Sequence, residues 1–217
     1  MKKLIAFLLI FIFSILIFNS VFAQNPFQFT PVKNGNLAWG DYNNDGNLDL
    51  LLAGESADGK VTKIYKNNGD ETFTEQTGIV LPGFSECAVA WSDYNNDGNL
   101  DFYISGITDT DTLITLYKNN GNNSFTAQSI HFDVDVSHSS MWVNPIKCFD
   151  FDEDGYEDIF IGSRVRSILF RNNGNETFTT QQDFVSVFGL NGIDIADYNN
   201  DGWIDMLIRE YLSLALR

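Results

Sequence analysis

A nine-residue acidic motif that occurs four times constrains the fold of this chain more than any other feature. It reads DYNNDGNLD at residues 41–49 and 93–101, DFDEDGYED at 150–158 and DYNNDGWID at 197–205. Successive copies start 52, 57 and 47 residues apart. Self-similarity at such a period indicates a repeat architecture, in which each copy builds one supersecondary unit.

Each copy carries oxygen-bearing side chains at its first, third, fifth and ninth positions and glycine at its sixth. This pattern suits Ca²⁺, which takes six to eight oxygen ligands from a loop that turns sharply at a glycine. The seventh residue varies, as expected where the ligand is a backbone carbonyl. We therefore predict about four Ca²⁺ ions, held by Asp41, Asn43, Asp45, Asn47 and Asp49; by Asp93, Asn95, Asp97, Asn99 and Asp101; by Asp150, Asp152, Asp154, Tyr156 and Asp158; and by Asp197, Asn199, Asp201, Trp203 and Asp205.

The alternative interpretation is a set of plain acidic turns, because Asp, Asn and Gly are common turn formers. Each loop places at least three aspartates at ligand positions and contains no Lys or Arg. Two carboxylates ~4 Å apart repel by roughly 4 kcal/mol at an effective dielectric of about 20, which favours metal binding. An EF-hand is disfavoured, because apolar runs such as LDLLLAG follow the loops and are typical of buried strands, whereas an EF-hand needs helices.

A second motif recurs in phase with the first. It reads YKNNGDETF at 65–73, YKNNGNNSF at 117–125 and FRNNGNETF at 170–178. In the first repeat we predict strands at 36–42, at 48–53, near 61–66 and from Phe73, with a tight two-residue turn at Asn68-Gly69. Each repeat is therefore predicted to be a four-stranded antiparallel meander, and the chain to be all-β.

Together the two motifs resemble the FG-GAP and VCBS-type repeats of β-propellers, the group that includes the calcium-bearing blades of integrin α-subunits. The resemblance covers about residues 36–208 and implies that each metal loop joins the first two strands of a blade. We expect blades at about 36–80, 86–130 and 143–184, and a partial blade at 191–217. Propellers have about four to eight blades, so this one would be incomplete. A truncated product is favoured over completion by another chain, because an open arc exposes a sheet edge.

Residues 1–23 have a basic start, an apolar run from Leu4 to Phe18 and small residues before position 24, as in a signal peptide. An uncleaved membrane anchor is the alternative. We expect an exported domain at 24–217, secreted, on the cell surface or in a periplasm. The net charge of −16 argues against nucleic acid and anionic membranes as partners.

The resemblance implies adhesion or ligand recognition, and some members occur beside enzymes. We expect an exported recognition or adhesion scaffold with structural Ca²⁺, an extracellular protein or carbohydrate ligand, and self-association through the open sheet edge. The alternative is a truncated fragment of a secreted, polysaccharide-acting enzyme. No HExxH, serine elbow or glycine-rich phosphate loop occurs in the sequence.

Four tryptophans and two cysteines complete the candidates. Trp39, Trp91, Trp142 and Trp203 are expected to pack in the core, although an exposed tryptophan would suit carbohydrate contact. Cys87 lies six residues before its loop and Cys148 two before its own. In strands that run side by side in register, that offset is too large for a disulfide, so we predict free, buried thiols.

Overall fold

The fold consists of antiparallel sheets that follow one another along the chain. The computed structural model describes residues 29–130, 132, 145–162, 166–185 and 190–210. This part of the chain contains no helix, and hence none that is long and apolar enough to cross a membrane. The expected signal segment, residues 1–23, lies outside it.

Three of the sheets are four-stranded meanders in chain order, and the fourth has two strands among the described residues. This confirms the all-β prediction of an incomplete propeller with four-stranded antiparallel blades. Sheet 1 contains β1 (Lys33–Gly40), β2 (Asp49–Ser56), β3 (Gly59–Asn67) and β4 (Phe73–Glu75); sheet 2 contains β5 (Ser85–Ser92), β6 (Asp101–Ile107), β7 (Thr112–Asn119) and β8 (Phe125–Ala127); sheet 3 contains β9 (Ile146–Phe149), β10 (Asp158–Ile161), β11 (Arg166–Asn172) and β12 (Phe178–Val185); sheet 4 contains β13 (Leu190–Ala196) and β14 (Asp205–Glu210).

The core consists of apolar layers between consecutive sheets. Successive side chains of a strand point to opposite faces, so in β6 Phe102 packs toward sheet 1 and Tyr103 toward sheet 3. Both side chains are fully buried. Strands covered on both faces read as continuous apolar runs, which explains why an unbroken apolar stretch follows each acidic loop.

The turn between β3 and β4 differs from the prediction. It has five residues, closed by a hydrogen bond from the Asn68 N–H to the Thr72 carbonyl (3.0 Å). Positive φ occurs at Gly69 (76°) and Glu71 (66°), not at two adjacent residues. The two-residue turn was wrong because polar side chains close a longer loop: the Asn68 amide donates to Thr72 Oγ1 (2.8 Å), and Asp70 accepts from the Thr72 N–H (3.1 Å).

The described tryptophans differ in burial. Trp91 packs between sheets 1 and 2, where its indole N–H donates to the Ala38 carbonyl (3.1 Å). The core prediction was wrong for Trp39, which is 50% exposed, and for Trp203, which is 58% exposed. Trp39 lies on β1, where no further described sheet covers it, and Trp203 lies in the acidic turn between β13 and β14. Trp142 lies outside the described residues.

Both cysteines have the predicted free thiol, but only Cys87 is buried as predicted. Both are free thiols, with Cys87 buried and Cys148 partly buried. They lie in neighbouring sheets, on β5 and β9.

Candidate metal centres

The predicted ligand residues fall in four equivalent turns, each of which joins the first two strands of a sheet. In the first turn φ is 57° at Asn44 and 86° at Gly46, and the same pair of positive φ values recurs in the other three turns. Asparagine and glycine suit this left-handed backbone. The structure thus brings each predicted set of five residues into one turn, and ion binding by them stays a prediction.

The first-position aspartate organises each turn. In the first loop Asp41 Oδ1 accepts the Asp45 N–H (3.0 Å), and Asp41 Oδ2 accepts the Gly46 N–H (2.8 Å). The corresponding pairs of bonds in the other loops measure between 2.9 and 3.1 Å. Because the carboxylate accepts two backbone N–H groups, these local hydrogen bonds define the shape of the turn.

The ninth-position aspartate is tied to the third strand of its sheet. Asp49, Asp101 and Asp158 are buried, and each accepts a backbone N–H from the first asparagine of the second motif, at 2.8, 2.6 and 2.8 Å. The other carboxylate oxygen, Oδ2, is buried without a hydrogen-bond partner among the described residues in Asp49 and Asp101. In these two loops, a buried oxygen is available to a cation.

The environment penalises the charge on these aspartates. Burial raises the pKa of Asp49 and of Asp158 to about 6. Burial raises the pKa of Asp101 to about 7, and the neighbouring carboxylates of Asp97 and Asp93 add to the effect. A buried anion without a counter-charge is costly, and a hard cation with oxygen ligands would offset that cost. The donor set therefore fits Ca²⁺.

The third loop has the densest carboxylate cluster. Asp150, Asp152 and Asp158 bring oxygens within 4.8 Å of one another. In the other three loops the third position is asparagine, which supplies a neutral oxygen instead.

Basic side chains from the third strand reach the fifth-position aspartates. Lys66 Nζ lies 3.0 Å from Asp45 Oδ2, and Lys118 Nζ lies 3.8 Å from Asp97 Oδ2. The hydrogen bond from Lys66, followed by those from Asn47, lowers the pKa of Asp45. The charge argument for the loops did not include these lysines, because they lie outside the loops. The basic residue at the second position of the YKNNG motif was the signal for them in the sequence.

In the third loop the basic residue is arginine, which spans two carboxylates. Arg171 Nε lies 2.6 Å from Asp152 Oδ2, and Nη2 lies 2.8 Å from Asp154 Oδ2. The Tyr156 N–H and then Arg171 lower the pKa of Asp154. Part of the charge repulsion predicted for the loops is therefore relieved by the protein itself, but Arg171 does not contact the buried Asp158.

The first asparagine of the second motif links neighbouring sheets. The Asn119 side-chain amide donates to the Tyr42 carbonyl in the loop of sheet 1 (2.8 Å) and to the Leu100 carbonyl in its own loop (3.1 Å). Asn172 bonds the Tyr94 carbonyl in the same way (2.6 Å). The sequence showed that the two motifs recur in phase, and the structure shows that they are joined by hydrogen bonds.

The loops also contact each other directly. The Asn44 amide donates to the Gly98 carbonyl (2.8 Å), and the Asn96 amide donates to the Gly155 carbonyl (2.7 Å). Each contact runs from the fourth position of one loop to the glycine of the next. The first three loops therefore form a continuous hydrogen-bonded row on one face of the propeller.

Comparisons with known proteins agree with this architecture. A family model described as FG-GAP-like repeat matches residues 41–104 and 150–208, which together exceed half of the chain. A search of curated proteins gave no match.

Among solved structures, the fold is similar to that of an Agrocybe aegerita lectin that specifically recognises non-reducing terminal N-acetylglucosamine. The TM-score is 0.53 at 22% identity, over 81% of this chain and 46% of the lectin chain. At that identity the likeness shows the fold alone, and this chain spans less than half of the lectin's length.

Proposed function

Because this chain belongs to the FG-GAP-like repeat family, we propose that it is an exported recognition scaffold, stabilised by Ca²⁺, which binds carbohydrate. The observation that carries the calcium part is the pair of buried carboxylate oxygens, Asp49 Oδ2 and Asp101 Oδ2, that lack a hydrogen-bond partner among the described residues. A buried polar atom without a partner destabilises a fold unless something binds it.

The ligand oxygens come from the first, third, fifth and ninth side chains and the seventh carbonyl of each loop. When bound, Ca²⁺ would supply the positive charge that the buried ninth-position aspartates lack. The third-strand N–H groups hold those aspartates, and the loop-to-loop bonds join neighbouring turns. Ion binding would therefore stabilise contacts between sheets as well as the loops.

Calorimetric titration of the full chain with Ca²⁺, after removal of metal by chelator, tests this part of the proposal. We expect tight binding with a stoichiometry of about four, and weaker binding of Mg²⁺, which retains more water and demands octahedral geometry. Absence of binding heat, together with a melt that is the same in chelator and in calcium, would contradict the structural role of the ion.

The carbohydrate part has two supports. The fold is similar to that of a lectin that recognises a terminal sugar, and the Trp203 side chain, in the fourth loop, is 58% exposed. A flat, exposed aromatic face offers apolar area with a polar handle at its edge. The strongly acidic composition favours an uncharged or cationic ligand over an anionic one.

A glycan array probed with the full chain tests the ligand class. We expect retention on a limited set of terminal sugars in calcium, and loss of that retention in Trp203→Ala. Val80→Ala, which changes an exposed apolar residue that belongs to none of the four acidic loops, serves as the matched control. Uniform lack of retention in a calcium-loaded, cooperatively melting sample would rule out carbohydrate as the ligand. Export is tested separately, by N-terminal sequencing of the chain recovered outside the cell.

A further inference from the structure

The third acidic loop carries a counter-charge that differs from those of the first two loops. This loop, at 150–158, joins β9 to β10, and its third position is Asp152, where the other three loops have asparagine. The basic residue of its second motif is Arg171, where the first two sheets have lysine. The extra negative charge and the arginine therefore occur together in one repeat.

Arg171 joins two predicted ligand residues of this loop. Its Nε atom lies 2.6 Å from Asp152 Oδ2, and its Nη2 atom donates a hydrogen bond to Asp154 Oδ2 (2.8 Å). In each of the first two loops, the described ion pair joins the lysine to a single loop carboxylate. A planar guanidinium can hold two carboxylates at fixed positions, whereas an ammonium is a point charge. Arg171 therefore connects two side chains whose mutual repulsion would otherwise open the turn.

The buried end of the third loop is also partnered by the protein. Asn172, the neighbour of Arg171 on β11, donates its N–H to Asp158 Oδ1 (2.8 Å). The second oxygen, Asp158 Oδ2, accepts the Phe151 N–H (2.9 Å). In the second loop, the equivalent oxygen of Asp101 has no described hydrogen-bond partner. The third loop therefore has hydrogen bonds for its buried carboxylate and a counter-charge for two outer ones.

We propose that Arg171 takes the place of an ion in the empty third loop, so that this loop stays formed without calcium whereas the first two loops depend on it. The comparison with the first two loops rests on the proposed calcium sites, but the role of Arg171 in the empty loop does not. Asp152 Oδ1 is buried without a described hydrogen-bond partner, so the third loop keeps an open oxygen for an ion. Arg171 stabilises the empty loop more than the loaded one, because a bound cation repels the guanidinium.

The competing explanation is an ordinary surface ion pair, which contributes little when both partners are exposed and free to move. The side chains of Asp152 and Asp154 are 27% and 26% exposed. Asp154 is also fixed from its other side, because its Oδ1 accepts the Tyr156 N–H (3.0 Å). Carboxylates that are already held in place lose less side-chain entropy when they pair. The contact of Arg171 with two of them therefore differs from a pair of mobile surface charges.

Hydrogen exchange, read by mass spectrometry in peptides that cover each acidic loop, tests the proposal on the full chain in chelator and in calcium. In chelator, we expect the third loop of the unmodified chain to keep its protection within about threefold of the value in calcium, and the first two loops to lose at least about tenfold. Arg171→Gln should make the third loop lose at least about tenfold in chelator as well. Calcium should restore that protection, because the ion supplies the positive charge that glutamine lacks.

A second variant gives the third loop the composition that the first two loops already have. Asp152→Asn together with Arg171→Lys places asparagine at the third position and lysine in the second motif, as in the first two repeats. This variant should respond to chelator as Arg171→Gln does, although it retains a basic side chain. The matched control is Lys63→Gln, which removes a lysine paired with Glu75 (3.0 Å), neither residue belonging to an acidic loop. It should leave the third loop protected in chelator.

Loss of protection in the third loop of the unmodified chain in chelator would overturn the proposal. So would a third loop that stays protected in chelator in either Arg171 variant, because the arginine would then be no more than a surface ion pair. Exchange in β2 and β6, read in the same experiment, shows that each variant is folded. If the first two loops are equally protected in both conditions while the third responds as expected, the proposed calcium sites of those two loops fail and the role of Arg171 stands.

Discussion

Replacing Asp101 by asparagine separates the cost of a buried charge from its value as a metal ligand. The side chain keeps its shape, and its oxygen can still accept the Asn119 N–H that now lies 2.6 Å away. The negative charge is lost. Without metal the variant should therefore be more stable than the unmodified chain, and with calcium it should be less stable.

The size of the effect follows from the raised pKa of Asp101, which is about 7 against an ordinary 3.8. A difference of about three pKa units corresponds to about 4 kcal/mol at a pH where the carboxylate is ionised. Because the loop around Asp101 is solvated and can relax, we expect removal of the charge to raise the free energy of unfolding by about 2 kcal/mol. For a domain of this length, that raises the melting temperature by about 4–8 °C.

The assay is differential scanning calorimetry at pH 8, with chelator in one series and excess calcium in the other. In calcium the variant loses one charged ligand, so the stabilisation that comes from ion binding at the second loop falls. Its melting temperature should therefore drop below that of the unmodified chain. Asp58→Asn, the same substitution at an exposed residue of the β2–β3 turn, should change neither melt appreciably.

The sign change between the two conditions is the decisive result. A variant that melts below the unmodified chain in chelator would refute the claim that burial penalises this carboxylate. A variant that melts above it in both conditions would refute the claim that the carboxylate binds metal. Either outcome would leave the fold intact and remove the basis for a calcium site in the second loop.

Two further predictions concern pH and the contacts between sheets. The raised pKa values of Asp49, Asp101 and Asp158 mean that, in chelator, the folded chain retains protons that the unfolded chain releases near pH 4. The contribution of these protonated groups to stability is full below about pH 4 and is lost as the pH rises through about 6 to 7. The melting temperature in chelator should therefore fall from about pH 4 to pH 8, and a rise over that range would contradict the raised pKa values. Asn119→Ala removes buried side-chain bonds to two loop carbonyls and should lower the free energy of unfolding by about 2–3 kcal/mol, which denaturant titration measures. Asn67→Ala is the control and should be milder: like Asn119, the Asn67 side chain bonds a loop carbonyl of its own sheet and a turn N–H, but no described bond joins it to another sheet. Equal losses would argue against the link between sheets.

The sequence predicted the repeats and their strands well because both depend on local chemistry. The acidic loop closes on its own first aspartate, and glycine at the sixth position adopts the φ that the turn requires, as at Gly46 (86°). The apolar runs after the loops became β2, β6, β10 and β14. The five-residue turn after β3 was missed, because its own polar side chains decide its length.

Trp39 and Trp91 show that the position of a residue in its repeat does not determine its burial. They occupy the same position in their repeats, yet Trp91 is covered by sheet 1 and Trp39 is half exposed. Their burial depends on whether another sheet lies in front, which no motif within a repeat encodes.

The chemical composition of each loop, the positions of its turns and the order of its strands are properties of short segments, so the sequence by itself determined them. The tertiary structure decided which groups meet: the third-strand lysines and arginine on the loop carboxylates, and the asparagines that join one loop to the next. These contacts bring together residues from different strands and sheets. Only packing the sheets in order reveals them, because the distance between two such residues along the chain says nothing about their distance in space.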